Sequence, residues 1–175
     1  MSRFRLGELF CGPGGLAHGA ITAKINNSDF SIVHQWATDY DQDTCGTYSN
    51  NICPQKENSV ICVDICKLDI EKDIGISGYI DALAFGFPCN DYSVAEEHKG
   101  LDGSFGPLYS YGIKALKFFQ PQWFLAENVG GLQTANDGKA FAQILNDMRD
   151  AGYTVTPHLY KFERNNFYEK LVQSA

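Results

Sequence analysis

Phe85-Gly86-Phe87-Pro88-Cys89-Asn90-Asp91-Tyr92-Ser93 closes an apolar run that begins at Ile80. The run is short, apolar and followed at once by Gly and Pro, the pattern of a buried strand ending in a turn. Gly86 permits that turn and Pro88 stiffens it. Cys89 is therefore expected just past the carboxyl end of a central strand, the edge at which open α/β sheets bind ligands. A thiol on a rigid turn there is a candidate nucleophile. Free Cys is also among the most buried residue types, so the same stretch reads equally as a small side chain filling a loop.

Toward the N-terminus, Phe4 to Phe10 reads as a first strand running straight into Cys11-Gly12-Pro13-Gly14-Gly15. Leu16 to Ile25 then reads as a helix. A strand, a glycine turn and a helix start make a pocket of free backbone N–H groups that a ligand can approach closely. The spacing is Gly-x-Gly-Gly, not the Gly-x-Gly-x-x-Gly of a dinucleotide site, which favours a different cofactor. A turn built only for tight packing is the alternative. Ser31 to Thr38 is the second strand, closed by Asp39, where an acidic residue can bind ribose hydroxyls. Tyr40 offers a flat face to a purine. Asp41 reads as a solvated turn acid and as the cap of a helix running to Asn50. Ser59 to Val63 is a third strand ending at Asp64, and Lys67 to Asp73 supplies one helical turn.

Toward the C-terminus, Ala95 to Gly106 is a charged, Gly-containing loop of the length used for lids. Pro107 to Phe119 is a helix with Pro in its first turn. Trp123 to Ala126 is a fifth strand ending in Glu127-Asn128-Val129. Glu127 would share the ligand edge with Cys89, or else is a solvated loop acid. A helix from Asp137 or Gly138 to Ala151 is closed by Gly152. Tyr153 to Phe162 alternates as a final strand, and 163–175 is a polar tail. The fold class is α/β: a doubly wound, mostly parallel sheet over residues 1–162 with helices on both faces.

The net charge of −7 gives no basic footprint for gripping a nucleic-acid backbone. That counts against a complete nucleic-acid-binding protein but not against a catalytic lobe whose basic surface lies elsewhere. Six Cys are present, and Met1 to Glu8 carries Arg3 and Arg5 without a long apolar core. Reduced thiols and a cytoplasmic location are expected. Cys62 and Cys66 lack a second pair of ligands at zinc spacing, and no apolar run is long enough to span a bilayer.

Taken together, these stretches resemble the cytosine-5 DNA methyltransferase family. Leu9-Phe10-Cys11-Gly12-Pro13-Gly14-Gly15 resembles its opening Phe-x-Gly-x-Gly-Gly signature. Gly86-Phe87-Pro88-Cys89-Asn90 resembles its Pro-Cys-Gln motif, with Asn90 for Gln. Glu127-Asn128-Val129 matches its Glu-Asn-Val motif. Gly106-Pro107-Leu108 resembles its Arg-Gly-x-Leu-Phe element, with Phe105 in place of Arg. The resemblance implies a Rossmann-like S-adenosylmethionine fold. Cofactor contacts would come from Phe10, Gly12, Gly14, Gly15, Leu16, Asp39, Tyr40, Asp64, Ile65, Phe87, Pro88 and Leu108. It implies Cys89 as nucleophile toward carbon 6 of a flipped cytosine and Glu127 as its acid partner. Pro88, Asn90, Ser93, Asn128 and Val129 would face the substrate.

The family's Gln-x-Arg-x-Arg motif is absent after Phe162; the chain reads Glu163-Arg164-Asn165-Asn166 instead. No stretch is large or basic enough to read DNA sequence. The expectation is a catalytic lobe, cut short or one half of a split enzyme, belonging to a restriction-modification system. Double-stranded DNA and a second chain carrying target recognition would be its partners, and no membrane. An inactive cofactor-binding remnant or partner subunit is the main alternative. A nucleotide-dependent oxidoreductase has the wrong glycine pattern, and a thiol hydrolase has only His98 nearby in sequence as a partner for Cys89.

Overall fold

The computed structural model describes residues 2–24, 29–75, 78–88 and 108–160. Five strands, β1 (Ser2–Leu9), β2 (Phe30–Asp39), β3 (Val60–Cys62), β4 (Ala82–Gly86) and β5 (Trp123–Glu127), form one sheet in the order β3-β2-β1-β4-β5. Every pairing among them is parallel. Three helices lie between strands, α1 (Gly15–Thr22), α2 (Gln42–Ile52) and α3 (Tyr109–Phe119), and a fourth, α4 (Lys139–Asp150), follows β5. Parallel strands need crossovers, and crossover helices cover both faces of the sheet. Leu16, Ala17, Tyr48 and Ile52 of α1 and α2 pack on one face with Leu6 and Ala37. Ile113, Leu116, Ile144 and Met148 of α3 and α4 pack on the other with Leu83 and Phe85. Among the described residues, no helix is long and apolar enough to cross a membrane.

Helix ends follow the expected chemistry. Asp41 caps α2, its Oδ1 accepting from the Thr44 amide at 2.7 Å. Gly152 ends α4 at a φ of 97° with its amide on the Arg149 carbonyl.

One irregularity matters for function. Leu6 pairs with His34 but Gly7 pairs with Trp36, so Gln35 is an extra residue in β2. Side chains two apart normally share a face of a strand; a bulge breaks that parity. His34 thus lies beside Tyr48 on the α2 face, while Trp36 stacks near Phe119 of α3, ring centroids 5.4 Å apart. Gly7 makes room for the indole: a Cβ there would fall 2.4 Å from Trp36 Cζ2.

The expected final strand is not formed over the described part of its range. Residues 153–160 join no ladder, although their burial alternates at first. Tyr153 is held by side-chain contacts instead, its hydroxyl donating to the Pro121 carbonyl at 2.8 Å and its ring edge-on to Phe124. Alternation reports one covered face; it does not supply a partner strand. The expected loop over 95–106 and the tail over 163–175 lie outside the described residues.

Helix α3 crosses β4 closely because Gly112 has no side chain; a Cβ at Gly112 would fall 2.4 Å from Phe85 Cε2. Phe85 is fully buried and cannot retreat. Gly112→Ala is expected to lower stability by about 2–3 kcal/mol, read as a lower urea midpoint with an unchanged slope.

Candidate functional site

Because all five strands are parallel, their carboxyl ends share one edge. Strand order reverses beside β1, between β1 and β4, and ligands of such sheets bind at that reversal. Leu9 pairs with both Thr38 and Phe85 there, and Gly86 pairs with Glu127. The turn after β1, Asp39 after β2, the Phe87-Pro88 segment after β4 and Glu127 after β5 are therefore neighbours along that edge.

The glycine turn is tied down by its neighbour strand. The Cys11 amide donates to the Thr38 carbonyl at 3.0 Å, and the Gly12 amide donates to Asp39 Oδ2 at 2.9 Å. Asp39 Oδ1 accepts from the Asp41 amide at 3.1 Å. A carboxylate has about four acceptor positions, so Asp39 keeps capacity for ligand hydroxyls. Phe10 and Gly12 both take a φ of 54°, which turns the backbone sharply.

The three glycines differ in role. A Cβ at Gly12 or Gly15 would meet nothing within 4 Å. At Gly14 it would fall 2.8 Å from Ile52 Cγ1 and 3.1 Å from Tyr48 Cδ2. Gly14 is thus a packing glycine, whereas Gly12 and Gly15 leave open space over the turn. That open cradle, beside amides at the start of α1 and a carboxylate at Asp39, fits a nucleoside ligand with ribose hydroxyls.

Other candidates are distributed as follows. Tyr40 is 77% exposed beside Asp39, so its ring face is free to stack. Asp64 is exposed and accepts from the Cys66 amide at 3.0 Å. Leu16 is half-buried against the α1–α2 face. Ile65, Phe87 and Leu108 are 8%, 6% and 7% exposed and pack in the core beneath the edge, so little of each is left for a ligand. Pro88 and Val129 are exposed. Asn128 Nδ2 donates to the Phe87 carbonyl at 2.9 Å, and its Oδ1 accepts from the Val129 amide at 2.8 Å. Its carboxamide thereby holds the segment leading to Cys89. Glu127 Oε2 would lie 3.3 Å from a Cβ at Gly86, so the carboxyl overhangs the end of β4. Glu127 is exposed. Cys89, Asn90 and Ser93 lie outside the described residues.

The structure adds three polar residues that sequence reading passed over: Glu8, His34 and Tyr48, all buried under the turn. The available signal was a carboxylate inside an apolar strand, Leu6-Gly7-Glu8-Leu9, since a buried acid needs a partner. Burial pushes the Glu8 carboxyl up to about 8, against the lowering effect of the Tyr48 hydrogen bond. Burial, helped by Lys56, pulls His34 down to about 4. Between the ordinary Glu value of 4.5 and about 8, the folded chain keeps a Glu8 proton that the unfolded chain has lost, so stability falls as pH rises through that window. Between the ordinary His value of 6.5 and about 4, the folded chain lacks a His34 proton that the unfolded chain takes up, so stability falls as pH drops. The two slopes cancel from about 4.5 to 6.5. Above that plateau, from pH 6.5 to 8, the loss is expected to be about 2 kcal/mol, and Glu8→Gln should flatten it in urea titrations at the two pH values.

A doubly wound sheet with an open glycine cradle, an acidic residue at the end of β2 and a carboxyl beside the end of β4 is a Rossmann-like α/β fold with its candidate groups at one edge. Residues 4–166 match the family profile described as C-5 cytosine-specific DNA methylase, and the chain belongs to that family. It is 56% identical over 169 residues to Type II methyltransferase M.BbvI of Brevibacillus brevis, covering 92% of this chain and 45% of the relative. It is 34% identical over 164 residues to DNA (cytosine-5-)-methyltransferase M.ApeKI of Aeropyrum pernix, covering 84% and 33% respectively. Among solved structures, an E. coli prophage protein assigned as a DNA modification methyltransferase superposes with a TM-score of 0.63 at 26% identity, over 84% of this chain and 38% of that one. The Entamoeba histolytica methyltransferase EhMeth shares the fold at a TM-score of 0.60 and 17% identity, over 86% and 44%. The chain spans less than half the length of these relatives.

Proposed function

We propose that this chain is the cofactor-binding and catalytic lobe of a DNA (cytosine-5-)-methyltransferase. The observation that carries the reading is the convergence at one sheet edge of the open glycine turn, the segment leading to Cys89, and Glu127 across from Gly86. S-adenosylmethionine, bound over Gly12 and Gly15 with its ribose at Asp39 and its adenine at Tyr40, would supply an electrophilic methyl group.

The chain's residues do the rest. The target cytosine leaves the duplex so that its ring can enter the site. The Cys89 thiolate forms a bond to ring carbon 6, and the displaced electron pair makes carbon 5 nucleophilic. Glu127, with a proton for the ring nitrogen, draws that electron flow and orients the exocyclic amine. After methylation, loss of the carbon 5 proton returns the electron pair and expels the thiolate. Asn128 holds the Phe87 carbonyl and so fixes the approach of the Cys89 segment. Double-stranded DNA is the substrate, and a region outside this chain reads the target sequence.

The short span relative to known relatives favours a second reading: a lobe that binds cofactor without activity of its own. Calorimetry with S-adenosylhomocysteine tests the common part; absence of heat from well-folded protein would refute it. Adding a separately made C-terminal region and measuring methyl transfer to cytosine distinguishes the two readings. Activity on addition supports the catalytic lobe, and none supports the inactive one.

A further inference from the structure

Beneath the glycine turn runs a buried polar chain that the proposed reaction does not use. Glu8 is 1% exposed in β1, and its Oε2 lies 3.0 Å from the Tyr48 hydroxyl oxygen. That oxygen is 3.2 Å from His34 Nδ1, and His34 Nε2 is 2.8 Å from Ser59 Oγ. The Ser59 hydroxyl donates to the Lys56 carbonyl at 2.7 Å. The chain joins β1, β2, α2 and the turn before β3. Its middle member is also the wall of the cradle, since Gly14 packs on the Tyr48 ring.

We infer that Tyr48 is a positioning residue for the cofactor cradle: its ring supports Gly14, and its hydroxyl, held between a neutral Glu8 carboxyl and a neutral His34, fixes that ring so that the turn stays open over Gly12 and Gly15. The inference rests on the reading of this turn as the S-adenosylmethionine site, and names the residues that hold it in shape.

The order of protons follows from the far end of the chain. The Ser59 hydroxyl has one proton and two acceptors, the Lys56 carbonyl at 2.7 Å and Cys53 Sγ at 3.7 Å, and the shorter bond takes it. His34 must therefore donate to Ser59 from Nε2. A neutral His34 then offers Nδ1 as an acceptor, which takes the Tyr48 proton. Tyr48 has none left for Glu8, so Glu8 donates its own. With the Ser59 proton on Lys56, reversing the two bonds at Tyr48 would bury an imidazolium and a carboxylate. It would also leave Glu8 Oε1, which makes no hydrogen bond of good geometry, as a carboxylate oxygen with only the nearby Ala17 amide to offset its charge. That is costly for a charge and tolerable for the carbonyl oxygen of a neutral acid. The surrounding groups agree. Asp39 and Cys11, in the turn region, and Tyr48, from α2, face Glu8; Cys53 also faces Tyr48. Lys56 faces His34, its Nζ donating to the His34 carbonyl at 3.2 Å. The Asp39 charge favours an uncharged Glu8, and the Lys56 charge favours an uncharged His34.

Three measurements on the whole chain test this. Tyr48→Phe should speed hydrogen exchange of the Gly12 to Ala17 amides and weaken S-adenosylhomocysteine binding, each by about tenfold, or about 1.4 kcal/mol. Glu8→Gln copies the neutral acid and keeps a donor for Tyr48. It should hold both quantities near wild type at pH 6.5 and abolish the decline in affinity that wild type shows toward pH 8. It should also remove a carboxylic-acid carbonyl band from the infrared spectrum. Unchanged exchange in Tyr48→Phe, a Glu8→Gln variant as damaged as Tyr48→Phe, or an unaltered infrared spectrum would overturn the inference. Should Tyr48→Phe not fold, Glu8→Asp withdraws the acid by one methylene and is read by the same exchange: acceleration supports the inference and no change defeats it. If wild type binds no S-adenosylhomocysteine, the cofactor reading falls, while exchange and the infrared band still decide the role of Tyr48.

Discussion

Cys89→Ser is expected to abolish covalent capture of DNA containing 5-fluorocytosine, in a mixture of this chain with a separately made C-terminal region. Once carbon 5 has taken a methyl group from added S-adenosylmethionine, the fluorine there cannot leave as a proton does, so the sulfur on carbon 6 is not expelled and the enzyme stays attached. A serine hydroxyl titrates far above a thiol and is a weak nucleophile at neutral pH, so no adduct should form. Binding of S-adenosylhomocysteine should remain within about twofold of wild type, because the cradle is built by the turn after β1 and by Asp39, not by residue 89. The readout is a shifted band on a denaturing gel, beside a calorimetric titration of the same protein. Capture by the variant would show that another group is the nucleophile. Loss of both capture and binding would mean that the substitution has disturbed the edge as a whole.

The second large effect separates ligand space from packing. Gly15→Leu is expected to weaken S-adenosylhomocysteine binding by more than about a hundredfold, near 3 kcal/mol, with the urea midpoint almost unchanged. Residue 15 has an ordinary backbone conformation and nothing within 4 Å of a Cβ, so the fold tolerates a side chain there. The ligand would have to share that volume. Gly14→Ala should do the opposite: its Cβ would press on Ile52 at 2.8 Å from a left-handed φ of 98°, lowering stability by about 2–4 kcal/mol. Equal loss of binding in both variants, with equal loss of stability, would show that the turn has no ligand-facing side.

Strands β4 and β5, the Asp41 cap and the Gly152 stop were legible in the sequence because each depends on residues adjacent in the chain. So was the placement of candidate groups after strands, since parallel topology brings every strand end to one edge. The split among Gly12, Gly14 and Gly15 was not legible: all three look alike until α2 arrives beside one of them. The sixth strand failed for a related reason, because alternation over 153–160 records a covered face and not a hydrogen-bonded neighbour.

What the sequence alone determined is the α/β class and the turn chemistry along the chain; the order of the groups along the sheet edge came with the strand order. Only the tertiary structure decided that Asp39 holds the Gly12 amide, that Asn128 holds the Phe87 carbonyl, and that Glu8 and His34 meet at Tyr48. The first two contacts join residues 27 and 41 positions apart in the chain; the third has its physical reason in one extra residue, Gln35. It reverses which side of β2 faces α2, and a contact that depends on such a reversal cannot be read from either strand's pattern alone.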